Sequence, residues 1–235
     1  MPPFPFTLID LTHSLTPSIP SWDGSCGFSV STLLEYADCD AEVKFKVQDL
    51  SLHAGMGTHM DAPAHCMPGG KTVDQISLND CLAPCVVIDV EAIADEYFLL
   101  SKKDIEQFEQ QHGRINAGTF IIVRTGWDKY WSNPSQYRND LQFPSISIEA
   151  AQYLLKRDII GIGIDTLSPD TAESGFPVHK ALLERGKYII ENIAFADRMP
   201  PVGGYTLIAP LLIADGTEAP VRLIGLVPHQ HSKEK

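Results

Sequence analysis

The sequence lacks the loops that mark several common catalytic classes. It has no G-x-S-x-G elbow, no G-x-x-x-x-G-K-S/T loop, and no G-x-G-x-x-G opening a helix, since G-I-G-I at 161–164 lies inside a strand-like run. Serine hydrolase, P-loop NTPase and dinucleotide-binding readings are set aside on that ground. Positive charge is scarce: 18 Lys and Arg against 30 Asp and Glu leave a formal charge of −12. No basic cluster offers itself to a phosphate backbone, so no nucleic-acid partner is expected. Cysteine is sparse, with five residues at irregular spacing, and Cys81 and Cys85 stand four apart rather than three, which excludes both a disulfide framework and a redox C-x-x-C. Cys66 is expected to be a buried, inert thiol.

Long apolar runs are missing too. The longest, around 205–214, is too short to cross a bilayer, and the opening MPPFPFTLIDL has no positive n-region. No membrane partner is expected, and the cytoplasm is the expected location. There is no internal repeat and no low-complexity linker, so residues 1–235 are read as one domain. With 44% apolar and 20% charged residues, the chain has the composition of a folded globule rather than a disordered one.

What is present is concentrated between Gly57 and His65, reading GTHMDAPAH. On a regular strand His59, Asp61, Pro63 and His65 would project from one face. Imidazole nitrogen with carboxylate oxygen suits zinc, manganese or iron, whereas calcium and magnesium want more oxygens. Gly57 permits close backbone approach and Pro63 stops the strand, so a rigid turn aims these groups into a pocket.

Strands are predicted at 7–11, 43–52, 85–90, 119–124, 159–165, 188–193, 205–212 and near 221–226, and helices at 101–110, 148–157 and 178–184. Ser101 with Asp104 and Ser147 with Glu149 mark two helix starts. Pro177 opens the third helix and Gly186 ends it. CVVID, FIIV and IIGIGID are continuously apolar, as in strands covered on both faces. The fold class is therefore α/β. Trp127 and Asp128 emerge at one strand end and Asp165 at the next. Ser168 and Asp170 are read as turn residues bonding nearby backbone N–H groups. Trp22 is either an aromatic pocket wall or a half-buried core or interface residue.

The segment resembles H-x-G-T-H-x-D-x-P-x-H, the signature of the cyclase family of metal-dependent hydrolases, which includes bacterial kynurenine formamidases and isatin hydrolases. TGW at 125–127, GIDTLSPD at 163–170, Pro177-Val178-His179, Glu191-Asn192 and APVRLIG follow in the family's order. The resemblance implies a swivelling β/β/α three-layer sandwich. It implies metal ligands at His59, Asp61, His179 and Glu191, with zinc first and manganese second, and His65 as the catalytic proton shuttle. The alternative for His65 is direct metal binding. It also implies a homodimer or homotetramer.

One position departs from the pattern: the family's first histidine is here Gly55. His53 is a candidate substitute, although it lies about 6.6 Å further along a regular strand; a bulge at Gly55 would bring it closer. The expected reaction is hydrolysis of a small amide, formamide or lactam by a metal-activated water. An aryl formamide of the N-formylkynurenine type is the first substrate reading and isatin-type lactam opening the second. A family member that has lost turnover and serves as a binding or stress-response protein is the reading from another class.

Overall fold

The computed structural model describes residues 4–229. Its strands are β1 Phe6–Asp10, β2 Phe28–Leu34, β3 Val47–Leu52, β4 His59–Asp61, β5 Leu82–Asp89, β6 Leu99–Leu100, β7 Phe120–Arg124, β8 Ser145–Ile146, β9 Gly161–Ile164, β10 Tyr188–Glu191, β11 Gly204–Pro210 and β12 Glu218–Pro228. Its helices are α1 Leu78–Cys81, α2 Lys102–His112, α3 Pro134–Arg138, α4 Ile148–Leu155 and α5 Pro177–Leu183.

The continuously apolar runs become the parallel centre of one sheet: β5 pairs with β7, β7 with β9, and β9 with β10. Parallel neighbours need crossovers, and α2, α4 and α5 supply them. Both faces of the centre are covered. Ile121, Val123, Ile162, Ile164 and Ile189 meet Leu154, Val178 and Leu182 on the helix side. On the other side Phe120, Ile122, Tyr188 and Ile190 meet Leu11, Met60 and Leu223.

The α/β class read from the sequence is what the structure shows, and the sheet also closes on itself. Its order is β1-β12-β11-β5-β7-β9-β10-β4, with a further pairing of β12 to β4. The long β12 makes closure possible, because its first residues pair with β4 and its last with β1. Closure removes an exposed edge that an open sheet would present.

The predicted helices at 101–110 and 148–157 appear as α2 and α4. Ser101 and Asp104 form a reciprocal capping box, and the Ser147 hydroxyl accepts from Ala150 N at 3.1 Å. The predicted strand at 43–52 forms only from Val47, where it pairs with β2 in a separate hairpin. The sequence reading has no counterpart to β2, since much of the stability of such a pair comes from its partner strand.

Gly161 and Gly163 face the barrel interior. A Cβ at Gly163 would overlap the Ile193 and Phe120 side chains, and one at Gly161 would overlap Tyr188. The two glycines are the space into which large neighbours pack. Gly163→Val is therefore expected to destabilise the chain by about 1–3 kcal/mol through overpacking, read from the midpoint of chemical denaturation. An unchanged midpoint would contradict this packing.

Candidate metal centre

The site lies on the helix-covered side of the sheet, at the end of β10 and beside the first turn of α5. Strand β4 runs between β10 and β12, with His59 opposite Glu191 on one side and Asp61 opposite Glu218 on the other. His59 and Asp61 share a face because they are two apart on a strand, while Met60 between them turns to the barrel interior. The row ends there. Pro63 opens a 3-10 turn at Pro63–His65, so His65 reaches the site from a turn and not along the predicted strand face.

Each histidine is oriented by a partner on its far nitrogen. His59 Nδ1 lies 2.9 Å from the carbonyl of Gly57, which can only accept, so Nδ1 carries the proton and Nε2 is left as a donor atom. Gly57 sits at φ +63°, a conformation that favours glycine, and its carbonyl also accepts from Asn192 Nδ2 at 2.9 Å. Thr58 Oγ1 donates to the Asn192 carbonyl at 2.6 Å and ties β4 to the residue after Glu191. His179 Nδ1 lies 2.8 Å from Asp170 Oδ2, and the same carboxylate accepts from the backbone N–H groups of Val178 and His179. Asp170 thus caps α5 and sets the His179 ring at once. Backbone bonding agrees with its reading as a turn residue; the imidazole contact extends that reading.

The four expected ligands converge. His59 Nε2 is 3.4 Å from Asp61 Oδ1 and 3.3 Å from Glu191 Oε2. His179 Nε2 is 3.5 Å from Asp61 Oδ2 and 3.4 Å from Glu191 Oε1. Two ligand atoms about 2.0–2.1 Å from a zinc ion at the tetrahedral angle stand about 3.3–3.4 Å apart, so these separations suit a shared cation. Each carboxylate turns one oxygen to each imidazole, an arrangement that admits one ion or a bridged pair. All four residues are buried, and Asp61 Oδ1 has no hydrogen-bond partner. An orphaned carboxylate oxygen is costly away from water unless a cation meets it.

Burial alone would neutralise these groups, and their neighbours reverse that tendency. Burial disfavours the charged form of His179, yet the carboxylates of Asp170, Asp61 and Glu191 hold its pKa far above the usual imidazole range. His59 is raised in the same way by Asp61 and Glu191. Burial also works against ionised Asp61, and the two imidazoles pull it below the usual carboxylate range. The pocket demands positive charge.

His65 is partly exposed, with Nδ1 3.2 Å from Glu218 Oε2. The Glu218 carboxylate raises its pKa against a smaller opposing effect of burial. Donor atoms of Asp61, His65 and His179 lie within 4.8 Å of one another, as do those of His59, Asp61 and Glu218. Glu218 is a site residue that the sequence reading passes over, although it stands immediately before the APVRLIG run. His53 does not substitute at position 55: its ring packs against Gly27, beside the β2–β3 hairpin. Cys66 is exposed at the pocket rim instead of buried, because the turn after Pro63 carries it outward. Asp165 serves turn chemistry, accepting from Thr125 and Gly126 N–H groups.

The donors open into a cavity of ≈360 Å³. Trp22 and Phe176 form an aromatic wall with ring centroids 5.8 Å apart, and Phe176 stands edge-on to His179. Phe176 is held at φ +58°, a rare conformation for a bulky residue and one found where strain serves a site.

A family model described as "Putative cyclase" matches residues 9–171. Isatin hydrolase of Roseibium aggregatum is 31% identical to this chain, over 94% of this chain and 92% of its own length. Kynurenine formamidase of Geobacillus thermodenitrificans is 32% identical, over 91% of this chain and 94% of its own length. A solved isatin hydrolase bound to the product analogue thioisatinate superposes with a TM-score of 0.87 at 29% identity, covering 96% of this chain and 94% of that one.

A protonated imidazole cannot ligate, so cation uptake must displace protons from His59 and His179, whose pKa values are raised in the folded chain. Zinc binding followed by calorimetry in buffers of different ionisation heat is expected to show net proton release, and affinity is expected to weaken as pH falls. Binding without proton release would contradict this arrangement.

Proposed function

The chain belongs to the cyclase family of metal-dependent hydrolases, and from that premise we propose that its centre hydrolyses the carbon–nitrogen bond of a small aryl formamide or aryl lactam. The observation carrying this reading is the set of four donors at 3.3–3.5 Å opening on an aromatic wall. His59, Asp61, His179 and Glu191 would hold the cation, with zinc first and manganese second for a mixed nitrogen and oxygen set. When bound, the cation supplies Lewis acidity to the scissile carbonyl and an activated water near neutral pH.

The chain's own groups do the rest. Trp22 and Phe176 take the aryl ring. His65 has Nδ1 engaged by Glu218, so proton exchange falls to Nε2. Its raised pKa keeps the ring protonated to higher pH, which suits a group that must protonate a leaving nitrogen.

Between the two substrates, an aryl formamide of the N-formylkynurenine type and an isatin-type lactam, the likeness to the thioisatinate-bound structure gives the lactam a specific support. The three-layer β/β/α description is supported by the two apolar cores, one on each face of the sheet. A single functional domain, a homodimer or homotetramer and a cytoplasmic location belong to the same proposal. The β2–β3 hairpin exposes Leu33, Phe45 and Leu50, and a lone two-stranded sheet with such a surface is better stabilised under a cover. No helix among the described residues is long and apolar enough to cross a membrane.

His65→Ala is expected to keep its metal content by elemental analysis and to lose about 10²- to 10⁴-fold in turnover on N-formyl-arylamines and isatin-type lactams. Loss of metal from that variant would make His65 a ligand instead.

A further inference from the structure

Position 55 carries no side chain, yet the space beside it is filled. A Cβ built on Gly55 would overlap Glu218 Oε1 and stand 3.4 Å from His59 Nε2. A side chain leaving position 55 would therefore enter the donor set at the spot where Glu218 already sits. Glu218 comes from β12, far away in sequence, and the β12–β4 register sets it directly opposite Asp61.

That register is unfavourable for two carboxylates alone. Directly opposed residues of an antiparallel pair have Cβ atoms about 4.5–5.5 Å apart, and like charges there repel. Asp61 is buried, and its Oδ1 has no hydrogen-bond partner. His65 Nδ1 lies 3.2 Å from Glu218 Oε2, and the other oxygen, Oε1, is the one that lies against the Gly55 position. One donor atom each from His59, Asp61 and Glu218 lies within 4.8 Å of the others.

We infer that Glu218 is a metal ligand of this chain, its Oε1 entering across β12 at the place Gly55 leaves open and completing a His59–Asp61–Glu218 triad. The inference rests on the metal-centre reading above. Glycine at 55 and glutamate at 218 form one unit, since a side chain at 55 and the Glu218 carboxylate compete for the same volume. The same residue links the donor set to His65 through its second oxygen.

The test is zinc affinity, measured by competition with a chromophoric chelator, together with metal content and thermal melting of each variant. Glu218→Ala and Glu218→Gln are expected to bind zinc at least ten-fold more weakly than wild type, the glutamine variant keeping the shape of the site if the alanine variant folds poorly. Gly55→His alone is expected to disturb the site, and Gly55→His combined with Glu218→Ala to regain affinity over Glu218→Ala. His65→Ala is expected to keep wild-type affinity, which separates a ligand role for Glu218 from an effect through His65.

Glu218 variants within two-fold of wild type would overturn the inference, as would a His65→Ala variant that loses as much zinc affinity as Glu218→Ala. A wild-type chain that takes up no zinc would sink the underlying metal reading, a result visible before any variant is compared.

Discussion

Two carboxylates buried face to face with two imidazoles are the constraint on which the rest depends. Asp61 and Glu191 are almost fully removed from solvent. Ionised carboxylates in such a place cost several kcal/mol unless opposite charge meets them at short range. His59 and His179 meet them at 3.3–3.5 Å, and the fold assembles the cluster from four directions: β4 contributes His59 and Asp61, β10 contributes Glu191, α5 contributes His179, and β12 brings Glu218 to the rim. Closure of the sheet through the β12–β4 pairing is what sets β4 between two carboxylate-bearing strands.

Around that centre is a shell whose task is orientation. The Gly57 carbonyl and the Asp170 carboxylate fix which nitrogen of each imidazole faces inward. Asn192 holds Gly57 and is itself held, since Tyr137 Oη donates to Asn192 Oδ1 at 3.0 Å and also to the Asp165 carbonyl at 2.9 Å. These bonds link the strands that carry the His and carboxylate cluster to α3 and to the loop after β9. A donor set held by residues whose own rotamers are fixed is preorganised, so little ordering remains to be done when a cation arrives.

The part of this legible in the sequence is the part written in local periodicity. The separation of His59 and Asp61 predicts one face of a strand, and they share one. Pro177 predicts the start of a helix with His179 in its first turn, and α5 begins there. Apolar runs predict the strands covered on both faces. What depends on pairing between distant segments is not legible. Glu218 meets Asp61 only through the β12–β4 register, and Asp170 meets His179 only because the loop after β9 folds back over α5. The extended row from His59 to His65 is misread because Pro63 starts a 3-10 turn, and the same turn exposes Cys66. His53 offers itself as a substitute on linear spacing alone; the hairpin carries it to Gly27.

The most direct measurement of the central claim is metal content per chain, by elemental mass spectrometry, on protein prepared without chelator or a histidine tag. One to two equivalents of zinc or manganese, retained through dialysis, are the expected result, and a ratio near two would indicate a two-ion centre. A ratio near zero that persists after reconstitution would contradict the claim, because the buried carboxylates would then be balanced by imidazolium protons alone.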